Sequence, residues 1–146
     1  MNCPECDADW SDEQTCTEHF HTLLAWEWDH NLLDMHHLLV LCYHLQHPSL
    51  YAPETLAGAK QMLMQFVEGG VTPQQMRHLL RDKVDSGQRT TRITGTPEHH
   101  GVYLHPVHWT MTIGDVTRAG VTQYYASVQV WAESMVLSLR ESGNLA

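Results

Sequence analysis

Three cysteines near the N-terminus have the spacing of a metal-binding group. Cys3 and Cys6 are separated by two residues, and Pro4 helps to set the turn between them, so both thiolates can face one ion. Cys16 comes at the predicted start of a helix, where the helix dipole favours the thiolate form. We therefore predict that Zn²⁺ ties the N-terminal segment, residues 1–16, to the rest of the chain.

A structural zinc site takes four ligands, usually cysteine and histidine, and several side chains could supply the fourth. His19 lies one helical turn after Cys16 and therefore on the same helix face. A second helix could bring His36, His37 or His47 to the same ion. Glu27 or an aspartate of the N-terminal segment is a further alternative. A water molecule in the fourth position would make the site catalytic instead.

The cysteines also allow interpretations in which they bind no metal. A Cys3–Cys6 disulfide is disfavoured, because the first residues lack the basic and apolar regions of a secretory signal. A redox C-x-x-C motif usually opens a helix after a strand, and no strand is predicted before this one. Cys42 lies in an apolar segment and is expected to be a small buried hydrophobe.

The chain has twelve histidines, and those of the second predicted helix could also do chemistry. His36 and His47 are eleven residues apart, or three helical turns, so they share a face with Tyr43 between them. With Glu27 as a carboxylate partner, this set could bind a second metal or carry out acid–base chemistry. The alternative is that these side chains only bond to the backbone and stabilise helix ends.

These side chains are positioned by helices, which the apolar periodicity predicts over most of the chain. Thr15 and Glu18 form a capping box before the first helix, and Pro48 ends the second. Branched residues between 88 and 110 predict a short β-hairpin. We divide the single domain, residues 1–146, into the metal-binding segment 1–16, helices in 17–84, the hairpin in 88–110 and a C-terminal helix in 119–141.

Length and composition agree with a mainly α protein, a compact four- to five-helix bundle with a short β-hairpin and a zinc-tied N-terminal segment. The chain carries 8 basic and 17 acidic residues, a net charge of −9 with neutral histidines. This sign argues against binding to nucleic acid. No apolar run is long enough to cross a membrane, so a cytoplasmic protein is expected.

Longer motifs resemble an uncharacterised bacterial family that is catalogued as a domain of unknown function. The resemblance rests on the CPxC pair, on Cys16 and on the stretch HHLxVxCYxLQHPS from His36 to Ser49. In the family pattern a glycine follows the second cysteine, where this chain has Asp7. The resemblance implies no activity, but it shifts the expected fourth ligand from His19 to the second helix, to His37 first and His36 as an alternative.

Together these observations predict a zinc-binding helical domain whose zinc is structural and which acts by binding a protein partner or a small molecule. The competing hypothesis is a metal-dependent enzyme that uses the histidine-rich helix. Its candidate catalytic residues are His36, Tyr43, His47 and Glu27. The stoichiometry and ligands of the bound metal distinguish the two.

Overall fold

Helices account for most of the secondary structure, as predicted. The structure is a computed structural model that describes residues 1–78 and 94–145. Residues 73–78 are helical, and residues 79–84, the end of the predicted helical region 17–84, lie outside the described residues. The other helices are α1 (Cys16–Asp29), α2 (His36–Gln46), α3 (Pro53–Val67), α4 (Ile113–Ala119) and α5 (Tyr124–Glu141).

The helix α2 is the centre of the bundle. It packs against α1, α3 and α5, while α4 packs against both α1 and α5. Its leucines point to several sides of the helix and are all buried, which agrees with the nearly all-round apolar pattern of this segment. The two ends of α2 lie next to different parts of the chain, so the histidines at one end contact other residues than those at the other end.

The start of α1 is fixed by its cap. The Thr15 side chain is the N-cap and accepts a hydrogen bond from the backbone N–H of Glu18 at 3.2 Å. This cap places Cys16 at the first helical position, where the sequence predicted it. Because the cap sets the first turn, the thiol of Cys16 is held against the N-terminal segment and is 3% exposed.

The predicted C-terminal helix, residues 119–141, corresponds to α5, and a separate helix, α4, lies directly before it. Gly120 has φ 92°, a left-handed conformation that separates α4 from a 3₁₀ turn at Val121–Gln123, and α5 begins only at Tyr124. The sequence interpretation missed α4. Its signal was a capping box, since the Thr112 side chain accepts from the Asp115 backbone and the Asp115 carboxylate accepts from the Thr112 N–H.

The predicted β-hairpin is wrong for residues 94–110, and residues 88–93 lie outside the described part of the chain. The segment makes only isolated bridges, one of them between Thr96 and His99. Its backbone pairs instead with the turn after α2: Gly95 N–H donates to Leu50 O at 3.0 Å and Gly101 N–H to Tyr51 O at 2.8 Å. The branched residues indicated extended chain, but the neighbouring turn supplies the partners.

Candidate metal centre

The CPxC pair lies on a tight turn at the N-terminus. Cys3 N–H donates to Ala8 O at 2.9 Å, and Asp7 N–H donates to Cys3 O at 3.0 Å. Asp7 closes the turn with φ 61°, a left-handed conformation that favours glycine and tolerates aspartate. The turn brings both sulfurs, Cys3 and Cys6, to one buried point.

His47 reaches the same point from the C-terminal end of α2. It is the residue after the last helical turn, with φ −130° and ψ 68°. Its Nδ1 lies 2.7 Å from the carbonyl oxygen of Tyr43. Because a carbonyl only accepts, Nδ1 carries the proton. In the neutral ring the lone pair is then on Nε2, which lies 3.5 Å from the sulfur of Cys3.

The four side chains form a cluster of metal-ligand size. One ligand atom from each of Cys3, Cys6, Cys16 and His47 lies within 4.8 Å of the others, and all four residues are buried. The Cys6 and Cys16 sulfurs are 3.6 Å apart. A tetrahedral zinc ion separates two sulfurs by about 3.8 Å and a sulfur from a nitrogen by about 3.5 Å. The spacing therefore suits one tetrahedral metal ion.

The electrostatics of the metal-free cluster favour thiolates at Cys3 and Cys16 beside a protonated His47. The hydrogen bond with Cys6 lowers the pKa of Cys16 to about 4 despite burial, and the same bond raises the pKa of Cys6. Burial acts to raise the pKa of Cys3, but the hydrogen bond with His47 lowers it overall. Burial acts to lower the pKa of His47, but Cys16 and Cys3 raise it to about 10. A divalent cation can replace these shared protons.

Aromatic side chains lie against two of the four residues in the cluster. Trp10 donates its indole N–H to the sulfur of Cys16 at 3.4 Å. The Tyr43 ring lies 4.6 Å from the His47 ring and stacks on Phe20 at 4.2 Å between centroids. Such outer contacts orient ligands and tune their basicity. The sequence did not single out Trp10 or Phe20 as site residues, because aromatic side chains are common in protein cores.

The structure brings His47, and not the expected His37, beside the three thiols. His37 lies at the opposite end of α2, where its ring contacts His36 at 5.7 Å between centroids. Burial, followed by the charges of His36 and Arg77, lowers the pKa of His37. Eleven residues of helix rise about 16 Å, so His36 and His37 are too far from His47 to join the thiol cluster.

The alternative ligand His19 is also outside the cluster. It is buried on α1, with Nε2 3.5 Å from a carboxylate oxygen of Asp12, and neither ring nitrogen has a hydrogen-bond partner in the structure described. Cys42 is fully buried in α2, and burial raises its thiol pKa. None of the four cysteines forms a disulfide.

The four catalytic candidates fall into two groups at opposite ends of α2. Tyr43 and His47 lie at the thiol cluster, and the Tyr43 hydroxyl is 3.1 Å from that of Thr17. Glu27 instead bonds to His36, with Oε1 2.9 Å from Nδ1. The structure therefore pairs Glu27 with His36 but does not form one pocket that contains all four residues.

A protein-family model covers most of the chain. Residues 1–140 match the model of a family described as "Family of unknown function (DUF5946)". The chain belongs to this family. No curated protein and no solved structure matches it. Within the described residues, no helix is long and apolar enough to cross a membrane.

Proposed function

We propose that this member of the unknown-function family is a zinc-binding helical domain in which Cys3, Cys6, Cys16 and His47 hold a structural Zn²⁺. One observation carries the proposal: three thiols and one imidazole nitrogen, all buried, lie within 4.8 Å of one another. Three sulfurs and one nitrogen are a common donor set of structural zinc sites. Four protein ligands leave no open position for a substrate.

The zinc would join three parts of the chain that are distant in sequence. The N-terminal turn supplies two ligands, the start of α1 one and the end of α2 one. Apart from the thiols, the Ser49 N–H joins the N-terminal turn to the end of α2 by donating to Glu5 at 3.1 Å. Free thiols in this number suit a reducing compartment such as the cytoplasm.

A closed metal site leaves function to another part of the surface. A groove of about 450 Å³ lies between the 3₁₀ turn before α2, residues 72–74 and the start of α5. Asp34 is a carboxylate at its edge, and Tyr125 contributes a half-exposed ring. We propose that the domain acts by binding a small molecule or a protein partner, with this groove as the small-molecule candidate.

The structural role of zinc is tested by chelation. Treating purified protein with a zinc chelator should lower the thermal midpoint, because the metal-binding free energy contributes directly to folding. Hydrogen exchange should show that residues 1–16 and the end of α2 lose protection first. An unchanged midpoint after complete zinc removal would contradict a structural role.

The alternative function, a metal-dependent enzyme, is favoured by one observation only. The pair of Glu27 and His36 has the carboxylate–imidazole arrangement used by general bases and by catalytic metal ligands. Tyr43 and His47 would then have no part in the chemistry. Catalytic turnover that depends on Glu27 and His36 would favour this alternative, whereas loss of stability on removal of the thiolate-bound zinc would favour the structural role.

A further inference from the structure

A buried carboxylate fixes one exposed histidine at the N-terminal end of α2. The Glu27 side chain is 0% exposed. Its Oε1 lies 2.9 Å from His36 Nδ1, and its Oε2 accepts the Tyr124 hydroxyl at 2.6 Å. Tyr124 is itself buried, and its pKa is raised by burial and by Glu27. Burying a carboxylate is unfavourable unless its hydrogen-bond partners compensate. For Glu27 these partners are His36 and Tyr124.

The effect of Glu27 is to orient the His36 ring. With Glu27 ionised, its carboxylate only accepts, so Nδ1 of His36 is the donor and the lone pair of the neutral ring is on Nε2. The side chain is 41% exposed, and no described residue bonds to Nε2. Histidines that bind metals usually donate their other ring N–H to a carboxylate or carbonyl in this way.

A second imidazole lies beside the first. The His36 and His37 rings have centroids 5.7 Å apart and planes at 70°. Two imidazoles on one ion, each at about 2.1 Å, have centroids roughly 5 to 6 Å apart. Arg77 is near His37, but the Asp34 carboxylate, at 3.7 Å from the Arg77 guanidinium, offsets its charge. The net charge of −9 also favours a cation.

We propose that His36 and His37 form a second, solvent-open site for a divalent transition-metal ion, with water in the remaining positions and Glu27 as a positioning residue. The site shares no ligand with the thiol cluster and lies at the other end of α2. The two sites can therefore fail separately. Imidazole nitrogens suit Ni²⁺, Cu²⁺ and Zn²⁺, and Ni²⁺ is a useful probe because its preference for thiolates is lower than that of zinc or Cu(I).

Calorimetric titration of the zinc-loaded protein with Ni²⁺ at neutral pH tests the proposal. The wild type should bind one Ni²⁺ per chain without losing its zinc. His36→Gln and His37→Gln should each weaken nickel binding by at least about tenfold. His21→Gln, which changes an exposed histidine on α1, is the matched control and should bind as the wild type does.

The role of Glu27 has its own readout. Glu27→Gln should weaken nickel binding by about 10- to 100-fold, the range seen when partners of metal-ligating histidines are removed, while zinc content stays at one per chain. Paramagnetic Ni²⁺ should also broaden the ring signals of His36 and His37 before those of other histidines. Absence of nickel binding, or equal binding by wild type and His36→Gln with zinc retained, would overturn the second site.

Discussion

At the scale of single residues, the position of a histidine on α2 decides which imidazole joins the thiols, and a backbone contact then orients its ring. His47 and His37 are on the same helix and within the same motif, and spacing alone does not separate them. Only His47 has its Nδ1 held by a carbonyl, that of Tyr43, with Nε2 directed at a cysteine sulfur. This contact depends on which end of α2 meets the N-terminal turn, which is tertiary information.

The left-handed conformation of Asp7 gives a prediction for the cysteine turn. Alanine at this position should lower the free energy of unfolding by about 1 kcal/mol relative to glycine, because a Cβ is disfavoured at φ 61°. Comparing Asp7→Ala with Asp7→Gly removes the same carboxylate in both, so the contact with the Asn2 amide at 3.0 Å cancels. Thermal unfolding of the zinc-loaded variants measures the difference, and equal midpoints would contradict it.

At the scale of elements, local signals predicted helices better than they predicted chain pairing. The Thr15 cap and Pro48 bounded α1 and α2 because caps and prolines act over one turn. The pairing of residues 94–101 depends on a turn more than forty residues earlier, and the β-branched composition carried no information about it. The capping box of α4 could be recognised in the sequence, but the interpretation followed the periodicity of α5 and began its last helix only at residue 119, so it missed α4.

The packing of residues 94–101 on the turn after α2 gives the second prediction. Gly95→Ala should lower the free energy of unfolding by about 1–3 kcal/mol, because its Cβ would lie 2.4 Å from Ser49 O and 2.6 Å from Tyr51 O. Gly58→Ala is the control, since nothing lies within 4 Å of its Cβ and it is inside α3. It should stabilise by up to about 1 kcal/mol. Urea unfolding measures both, and a neutral Gly95→Ala would contradict the close packing.

At the scale of the whole molecule, the sequence predicted a helical domain with a clustered set of cysteines, and both are confirmed. The three thiols could be predicted from the sequence because two of them share one short turn and the third follows a strong cap. The fourth ligand and the separation of the two histidine groups could not be predicted, because they follow from how α1 and α2 pack. The family does not indicate a function, because its own activity is unknown.

The metal should make the stability of the whole domain depend on acidity. A thiol whose pKa is lowered in the folded state contributes stability above its unfolded value and loses it as the pH falls through the folded value. In the metal-free cluster this folded value is about 4 for Cys16, and in the zinc-loaded protein protons compete with the metal for every ligand. Zinc release and a falling thermal midpoint should therefore coincide on acidification. Release without loss of stability would contradict the coupling.

The central claim is that His47 completes a site with the three cysteines. The most direct measurement is the zinc content per chain, by elemental analysis after gel filtration to remove weakly held ions. Wild type and His37→Ala should each retain one zinc, and Cys3→Ser and His47→Ala should lose it. A wild type without zinc, or retention in His47→Ala with loss in His37→Ala, would contradict the account.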